Sequence, residues 1–477
     1  MLTMTLIIIL LGMMSGLFRI QKVEASGTIY IKADGGVDPS TAPISSVDNV
    51  TYTFTDNIND SIVVERDNIV VDGAGYTVEG TGAYGSKGIN LTFTWNITIK
   101  NMKIKAFENG IFLSGSYYIN ILGNEITGNE YGIFIREYSN FNSIYANNIT
   151  SNSQSAIFIT GSYKTNASKN NIANNKYGVF LYDTYGPTII SENNIEANSR
   201  YGVALIYCSW YYDSANTAIT QNNIANNNDC GIFVYSSSNN IIVGNNIANT
   251  TSPSSGVGVW LEGSSRNAIF HNNFLENRVN AYTWRSYVNQ WDDGFPSGGN
   301  FWSNHTVVDS NLDGIADSPY VIDGDNQDNY PSTDMIFSFD AYNYRVSIIS
   351  NSSVSNFNFS ITGPWRVTLT LNATGETGTQ GFCRICIPKA LINGSYVVKF
   401  NGEVITYPQV RELPGSNELY ECLYINYTHS EHVIEISGTS TISEFPSFLI
   451  LPLFMVATLL VTVCRRKIPS NYIKTGT

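Results

Sequence analysis

Short apolar segments alternate with Asn, Ser and Gly through most of the chain, and they recur at a fixed spacing. Four segments that share the pattern Asn-x-Ile begin 23 residues apart, at Asn124, Asn147, Asn170 and Asn193. The same step recurs with insertions at Asn222, Asn245 and Asn272, where Phe274 replaces Ile, and an altered copy begins at Asn101. A repeat of this length, rich in β-branched residues and without a 3.6-residue period, predicts a solenoid built from strands.

A second anchor follows each asparagine step after eight or nine residues. It joins Gly or Ala to a branched aliphatic residue, at Gly110, Gly132, Ala156, Gly178, Gly202 and Gly231, and again at Gly258 after a longer loop. A third apolar run, such as residues 116–121, lies between the anchors. Three short strands per coil predict a parallel β-helix, in which successive coils pair at ~4.8 Å and equivalent side chains stack in ladders. We interpret the repeated asparagines as structural, because a corner Asn can bond its equivalent in the next coil and tolerates a left-handed backbone.

The pattern Asn-Asn-Ile-x-x-Asn-x-x-Gly-Ile-x-Leu resembles the NosD-type right-handed β-helix repeats of periplasmic and archaeal cell-surface proteins, and of some carbohydrate-active enzymes. The resemblance covers roughly residues 50–335, and residues 289–303 look like the segment that closes the helix in that family. It implies an all-β protein with a right-handed parallel β-helix. It implies much less about activity, because one fold hosts many functions. The four histidines are His271, His305, His429 and His432. They are scattered along the sequence and form no copper-binding motif.

Composition and the two ends of the chain predict an extracellular address. A net charge of -13, with only 26 Lys and Arg in 477 residues, argues against nucleic acid as a partner. The apolar start predicts a signal peptide in residues 1–26, with an uncleaved anchor as the alternative. Residues 445–464 predict a transmembrane helix and residues 465–477 a basic cytoplasmic tail. The segment 443–446 resembles archaeal surface-protein sorting signals, so both retention and processing of the helix stay open.

Between these ends, we predict the β-helix over residues 27–335 and a β-sandwich stalk over residues 336–440, where the repeat gives way to alternating strands. This second segment resembles a stalk domain of archaeal surface proteins. Cys383 and Cys386 lie on opposite faces of a strand, which disfavours a metal or redox pair. We expect a disulfide from Cys422 to one of them, and one between Cys208 and Cys230 is an open alternative.

Oxygen-bearing groups recur at alternate positions around a glycine turn near the end of the β-helix. They are Asp309, Asn311, Asp313, the Ile315 carbonyl and Asp317. This pattern predicts a structural Ca²⁺ site, although the twelfth position is Tyr320 where an EF-hand has Glu. A solvated turn is the competing interpretation.

Thirteen Asn-x-Ser/Thr sequons fit a glycosylated secreted surface. Asn148 occupies a repeat position, so we expect it to be structural. The sequons beyond residue 340 have no repeat position and are the better expected acceptors.

Two carboxylates could serve catalysis on the β-helix. Register places Glu137 and Asp183 at one position two coils apart, roughly 9.6 Å by ladder spacing, with Arg136 beside the first. That separation lies near the range of inverting glycosidases. The intervening coil carries Gly161 there, so we favour two solvated surface acids. We therefore assign no catalytic residue and keep Glu137, Asp183 and Arg136 only as weak candidates.

A column of aromatic residues is the strongest functional feature. The middle residue of each Gly-Ile-Phe-Leu segment should point outward, and this column reads Phe112, Phe134, Phe158, Phe180, Ala204, Phe233 and Trp260. Outward rings repeating every ~4.8 Å predict an apolar strip that stacks on sugar rings, contacts another copy or protein, or is covered by loops. We predict a non-catalytic surface protein that binds carbohydrate. The alternatives are a polysaccharide hydrolase or lyase and a self-associating coat element.

Overall fold

The computed structural model describes residues 27–208, 217–362, 366–413 and 419–440. Every secondary-structure element in these residues is a β-strand. The predicted signal peptide, C-terminal helix and basic tail lie outside these residues. Within them, no helix is long and apolar enough to span a membrane. The predictions for both ends of the chain therefore stay predictions.

Three sheets, named A, B and C here, run through the repeats, and each full coil gives one strand to each sheet. Sheet A contains Val37–Asp38, Ile29–Ile31, Ile62–Val64, Lys87–Thr92, Asn109–Ser114, Tyr131–Arg136, Ser155–Thr160, Tyr177–Tyr182, Tyr201–Ile206, Cys230–Tyr235, Val257–Glu262 and Val279–Trp284. Sheet B contains Ile44–Ser45, Thr51–Phe54, Ile69–Asp72, Ile97–Lys100, Asn120–Leu122, Ser143–Tyr145, Asn166–Ser168, Ile189–Ser191, Ala218–Thr220 and Ile241–Val243. Sheet C contains Thr77–Glu79, Lys103–Lys105, Glu125–Thr127, Asn148–Thr150, Asn171–Ala173, Asn194–Glu196, Asn223–Ala225 and Asn246–Ala248.

The predicted parallel β-helix is therefore confirmed. Successive coils pair in parallel, with Ile133 opposite Ile157 and Ile157 opposite Val179 in sheet A. These aliphatic side chains are fully buried inside the helix, and each contributes roughly 1.5–3 kcal/mol through burial.

The Gly or Ala anchor exists because neighbouring coils approach closely at this point. A Cβ built on Gly178 would lie 2.4 Å from the carbonyl oxygen of Gly202 and 2.7 Å from Ile195 Cγ2. Even the Cβ of Ala would require the neighbouring coil to shift at Gly178, and a larger side chain would separate the coils further.

The repeated asparagines form a ladder inside the corner between sheets B and C, as predicted. Asn170 Oδ1 accepts hydrogen bonds from the backbone N–H and the Nδ2 of Asn147, at 2.9 and 3.0 Å. Asn170 Nδ2 donates to the carbonyl of Ile144 and to Asn193 Oδ1, both at 2.9 Å. Each amide therefore satisfies buried backbone groups and also bonds the next coil.

The left-handed backbone is not where we predicted it. The residue before each ladder asparagine carries it, as at Ala146 (φ 54°), Lys169 (φ 56°) and Glu192 (φ 56°). The asparagine is selected for its amide, since the corner bend is made one residue earlier.

The described residues form two compact units. One contains the coils up to Ala268 together with Phe274–Asn289 and Ile322–Asn326. The other contains Ile269–Asn273, Gln290–Val321 and the residues from Gln327 onward. The remaining short strands are Ala268–Phe270, Asn273–Leu275, Phe301–Trp302, Tyr320–Val321 and Gln327–Asp328.

Two antiparallel five-stranded sheets follow the β-helix. The first contains, in order, Ile336–Ala341, Tyr344–Ser350, Gln380–Pro388, Tyr420–Thr428 and Val410–Glu412. The second contains Ser353–Thr362, Arg366–Thr374, Glu431–Ser440, Ile392–Phe400 and Glu403–Ile405. Side chains of both sheets, among them Ile348, Ile385, Leu369 and Ile434, share one buried apolar core.

The cysteines resolve the alternatives that the sequence left open. Cys386 and Cys422 form a disulfide, and Cys383 is a buried free thiol. Cys208 and Cys230 are both free, so the alternative pairing between them is wrong. Cys208 faces the inside of a coil corner, where Ser237 Oγ accepts a hydrogen bond from its backbone N–H at 2.9 Å. Cys230 begins a strand of sheet A and packs against Phe233 and Val257.

Candidate functional site

The six aromatic residues predicted for the strip lie in one column on the outer face of sheet A. Strand register places them opposite one another, with Asn90 before the first ring, Ala204 inside the column and Tyr282 after the last: Phe112, Phe134, Phe158, Phe180, Phe233 and Trp260. We call the rings of this column, including Tyr282, the aromatic strip.

The rings of the aromatic strip pack on one another. Neighbouring ring centroids lie 4.9 Å apart between Phe134 and Phe158 and 5.4 Å apart between Phe158 and Phe180. The strip is less exposed than the sequence suggested, because Phe112 and Phe233 are only 7% and 8% exposed. Phe134, Phe158 and Phe180 are half-buried, so their remaining surface is available to a ligand.

A second column of tyrosines flanks the strip, and sequence reasoning missed it. Tyr131, Tyr177 and Tyr201 each precede the glycine of a coil, which is the signal that could have revealed them. Tyr131 stacks on Phe158 with centroids 5.7 Å apart, and Tyr177 lies 5.0 Å from Phe180. Burial raises the pKa of Tyr131 and of Tyr201, so both phenols stay protonated donors.

A charged rim borders the tyrosine column. Arg200 Nε forms an ion pair with Asp229 Oδ2 at 3.0 Å, and its Nη1 donates to the Tyr177 hydroxyl at 3.2 Å. Ser255 Oγ donates to the other Asp229 oxygen at 2.9 Å. Lys176 Nζ lies 5.3 Å from the Tyr177 ring centroid. Polar groups are thus fixed beside apolar ring faces, which is the composition expected of a small-molecule or sugar site.

The strip also holds an unused donor. The indole Nε1 of Trp260 is buried and bonds to no atom among the described residues. Buried donors in folded proteins are nearly always paired. A hydroxyl or carbonyl of a bound ligand would supply the missing acceptor.

The three weak catalytic candidates lie on the other side of the strip. Backbone bonds from Tyr138 to Gly161 and from Gly161 to Asp183 confirm the register predicted for Glu137 and Asp183. Glu137 pairs with Arg136 and accepts a hydrogen bond from Ser114 Oγ.

Asp183 has a different partner. Its Oδ2 accepts a hydrogen bond from the Tyr185 hydroxyl at 2.8 Å. The two carboxylates therefore occupy equivalent positions but bond to separate local partners.

The carboxylates of the predicted calcium loop accept hydrogen bonds from backbone N–H groups of the same loop. Asp309 accepts hydrogen bonds from the backbone N–H groups of Asp313 and Gly314 at 3.0 and 2.9 Å. Asp313 Oδ1 accepts one from the backbone of Ile315 at 2.8 Å. Within the described residues, no three His, Cys, Asp or Glu side chains are grouped as a metal site. Binding would require the carboxylates to turn toward one another.

A buried arginine lies under this loop. Arg384 is 1% exposed, and a Cβ on Gly314 would lie 2.7 Å from its Cδ. Burial lowers the pKa of Arg384 to about 10, while Asp313 and Asp309 oppose that shift. The guanidinium donates to the Pro296 carbonyl, and it supplies positive charge that a cation would otherwise bring.

Calcium binding by this loop stays a prediction with a direct test. If the loop binds Ca²⁺, millimolar CaCl₂ will raise the unfolding temperature of the full chain above its value in EDTA, because the ion binds only the folded loop. Asp309→Asn should remove the rise, and Asp56→Asn, in an exposed loop of the β-helix, should keep it. An unfolding temperature independent of Ca²⁺ would leave Arg384 as the counter-charge of the loop.

Comparisons with known families agree with this geometry. A model described as "Right handed beta helix region" matches residues 44–189, and one described as "Periplasmic copper-binding protein (NosD)" matches residues 147–307. The chain is a right-handed β-helix protein.

Solved structures similar to this β-helix protein include enzymes that act on carbohydrate. DFA-IIIase from Arthrobacter chlorophenolicus A6 in complex with GF2 is 15% identical, with a TM-score of 0.36 over 50% of this chain and 63% of that chain. The periplasmic alginate epimerase AlgG is 15% identical, with a TM-score of 0.33 over 50% of this chain and 68% of that chain. Likenesses this distant carry no argument about activity. None of the curated proteins matches the sequence.

Proposed function

We propose that the outer face of sheet A binds a glycan, and that the protein acts as a non-catalytic carbohydrate-binding or adhesive protein. The observation that carries this proposal is the strip itself, in which Phe134, Phe158 and Phe180 follow one another in strand register. Apolar C–H faces of sugar rings pack on aromatic faces, and sugar hydroxyls need neighbouring polar groups. The rim around Arg200 and Asp229 supplies such groups.

The proposed location rests on the sequence. A signal peptide in residues 1–26 and a membrane helix in residues 445–464 would hold the β-helix outside the cell, and residues 336–440 would act as its stalk. An outward-facing glycan-binding surface fits that location, with envelope polysaccharide as the ligand class.

A glycan-array screen of the full chain tests the proposal. We expect binding by the parent and its loss in the Phe134→Ala/Phe158→Ala/Phe180→Ala variant, checked for folding by circular dichroism. Tyr145→Ala is the matched control, because it removes a 39% exposed ring from the outer face of sheet B. A parent that binds no glycan contradicts the proposal and favours self-association or a protein partner.

An enzyme acting on polysaccharide is the second candidate. It is supported by the register of Glu137 and Asp183, separated by roughly 9.6 Å at two coils of ~4.8 Å. Any glycan that binds should be incubated with the protein and its products separated by mass. Cleavage that disappears in both Glu137→Gln and Asp183→Asn would establish catalysis, whereas an unchanged glycan supports binding alone.

A further inference from the structure

A second aromatic ladder lies at the corner between sheets A and B. It consists of Asn96, Tyr118, Phe141 and Lys164, which occupy one position in four successive coils. The backbone N–H of Asn96 bonds to the carbonyl before Tyr118, and the N–H of Tyr118 bonds to the carbonyl before Phe141. We call these four residues the corner ladder.

The rings of the corner ladder are open to solvent and ordered on one another. Tyr118 and Phe141 are 51% and 37% exposed, and their rings are stacked with centroids 5.1 Å apart. Tyr163 lies 5.7 Å from Phe141, and Lys164 Nζ lies 4.9 Å from the same ring. This corner therefore exposes more ring surface than Phe112 and Phe233 of the aromatic strip do.

The backbone makes these rings costly at this position. Tyr118 and Phe141 have φ of 57° and 59°, a left-handed conformation that bulky side chains rarely adopt. Asn96 and Asn239 occupy left-handed corner positions in other coils at lower cost. Aromatic side chains held with strain and exposed to water point to a function for their surface.

The residue that begins the corner ladder indicates the occupant. Asn96 starts the sequon Asn96-Ile97-Thr98, and Ile97 is buried while Asn96 is exposed. Its Nδ2 donates one hydrogen bond, to Asn68 Oδ1 at 2.8 Å. A glycosylated Nδ2 keeps one hydrogen, so this bond can survive modification. The attached sugar would start one coil, ~4.8 Å, before the Tyr118 position.

Asn351, Asn148 and Asn90 differ from Asn96 in their surroundings. Asn351 accepts a hydrogen bond from Phe382 N at 3.0 Å and donates one to Gln380 O at 2.9 Å. The sequons beyond residue 340 stay predicted acceptors. Asn148 is exposed on sheet C, where its Oδ1 accepts a hydrogen bond from Asn171 Nδ2 in the next coil at 2.8 Å, which fits the structural role that we expected for it.

Asn90 provides the closest comparison. It also precedes an aromatic ring, because it lies opposite Phe112 in sheet A. However, Phe112 is 7% exposed and lies under Lys87, whose Nζ is 3.7 Å from the ring centroid. The first ring after Asn90 therefore offers no open face.

We propose that Asn96 carries an N-linked glycan of this chain and that its sugars lie on the rings of Tyr118 and Phe141. An oligosaccharyltransferase would join the anomeric carbon of a lipid-diphosphate-linked oligosaccharide to Asn96 Nδ2, which loses one proton as the lipid diphosphate leaves. Sugar C–H faces then cover the exposed rings. This assignment is independent of glycan binding by sheet A.

The first test is site occupancy in the full chain expressed in a yeast that glycosylates secreted proteins. Asn90 and Asn96 lie in the same tryptic peptide, residues 88–100. Asn90→Gln is therefore the matched variant, because any label in its peptide comes from Asn96. After enzymatic deglycosylation in H₂¹⁸O, we expect the heavy Asp label at position 96 in the parent and in Asn90→Gln. An unlabelled position 96 would overturn the proposal.

The second test asks whether the sugars lie on the rings. Removing the glycan with Asn96→Gln should lower the unfolding temperature, and this fall should disappear when Phe141→Ala is already present. Such coupling would be measured by a double-mutant cycle. An equal fall in unfolding temperature in both backgrounds, or no fall in either, would contradict the proposed contact between the glycan and the corner ladder.

Discussion

Asn170→Ala will destabilise the β-helix by about 3 kcal/mol, measured as the shift in urea-induced unfolding. The change removes the acceptor of the Asn147 backbone N–H and the donor to the Ile144 carbonyl. Asn170 is 1% exposed, so water cannot replace these partners without opening the corner. An orphaned buried polar group costs roughly 1–3 kcal/mol, and two are created here.

The adjacent residue provides the control. Asn171 lies on the exposed outer face of sheet C, where it donates to Asn148 Oδ1 at 2.8 Å and accepts from Asn194 at 3.0 Å. Asn171→Ala should cost less than about 1 kcal/mol, because water can replace both bonds. Equal losses for the two variants would contradict the role assigned to the buried ladder.

Asp328→Asn will change how stability depends on pH, and this is the second large effect that we expect. Asp328 is fully buried and accepts hydrogen bonds from Asn300 N at 2.7 Å and Trp302 Nε1 at 2.9 Å. Burial raises its pKa from 3.8 to about 7, despite these donors. The folded protein thus holds a proton that the unfolded chain releases.

The sign follows from this difference in proton binding. A folded-state pKa above the unfolded value gives stability that is fully present below about pH 3.8 and is lost as pH rises through about 7. A shift of this size corresponds to on the order of 4 kcal/mol. The parent should therefore lose stability between pH 4 and 8 relative to Asp328→Asn, as measured by unfolding midpoints.

Two further groups shape the parent's own pH profile. Burial raises the pKa of Asp334 to about 6, which acts in the same direction as Asp328. Burial lowers the pKa of His271 to about 4, so its contribution is instead lost as pH falls below 6.5. Both groups are also present in Asp328→Asn, so their contributions cancel in the stability difference between parent and variant. A difference between parent and Asp328→Asn that does not change with pH would contradict the assignment.

The repeat made the coil architecture predictable, because stacked coils place equivalent residues in equivalent surroundings. The buried position of Asn170, the aliphatic core around Ile157 and the outward column containing Phe158 all follow from that periodicity. The close approach of coils at Gly178 explains the second anchor of the repeat. These features are local and recur, so a single sequence displays them many times.

Features that occur once, or that depend on side-chain packing, could not be predicted in this way. Ring spacing predicted an open strip, but neighbouring rings cover one another, and Lys87 covers Phe112. Register alone does not report such contacts. Asp328 stands outside the repeat, so no pattern distinguished this buried acid from the surface acids around it.

The central claim is that rings repeating along sheet A bind an extended glycan, and the most direct test is calorimetry with oligosaccharides of increasing length. Because one ring follows another at each coil of ~4.8 Å, affinity should rise with length until the ligand spans Phe134 to Phe180. Phe158→Ala should abolish that rise. Absence of binding at every length, or an affinity independent of both length and Phe158, would contradict the claim.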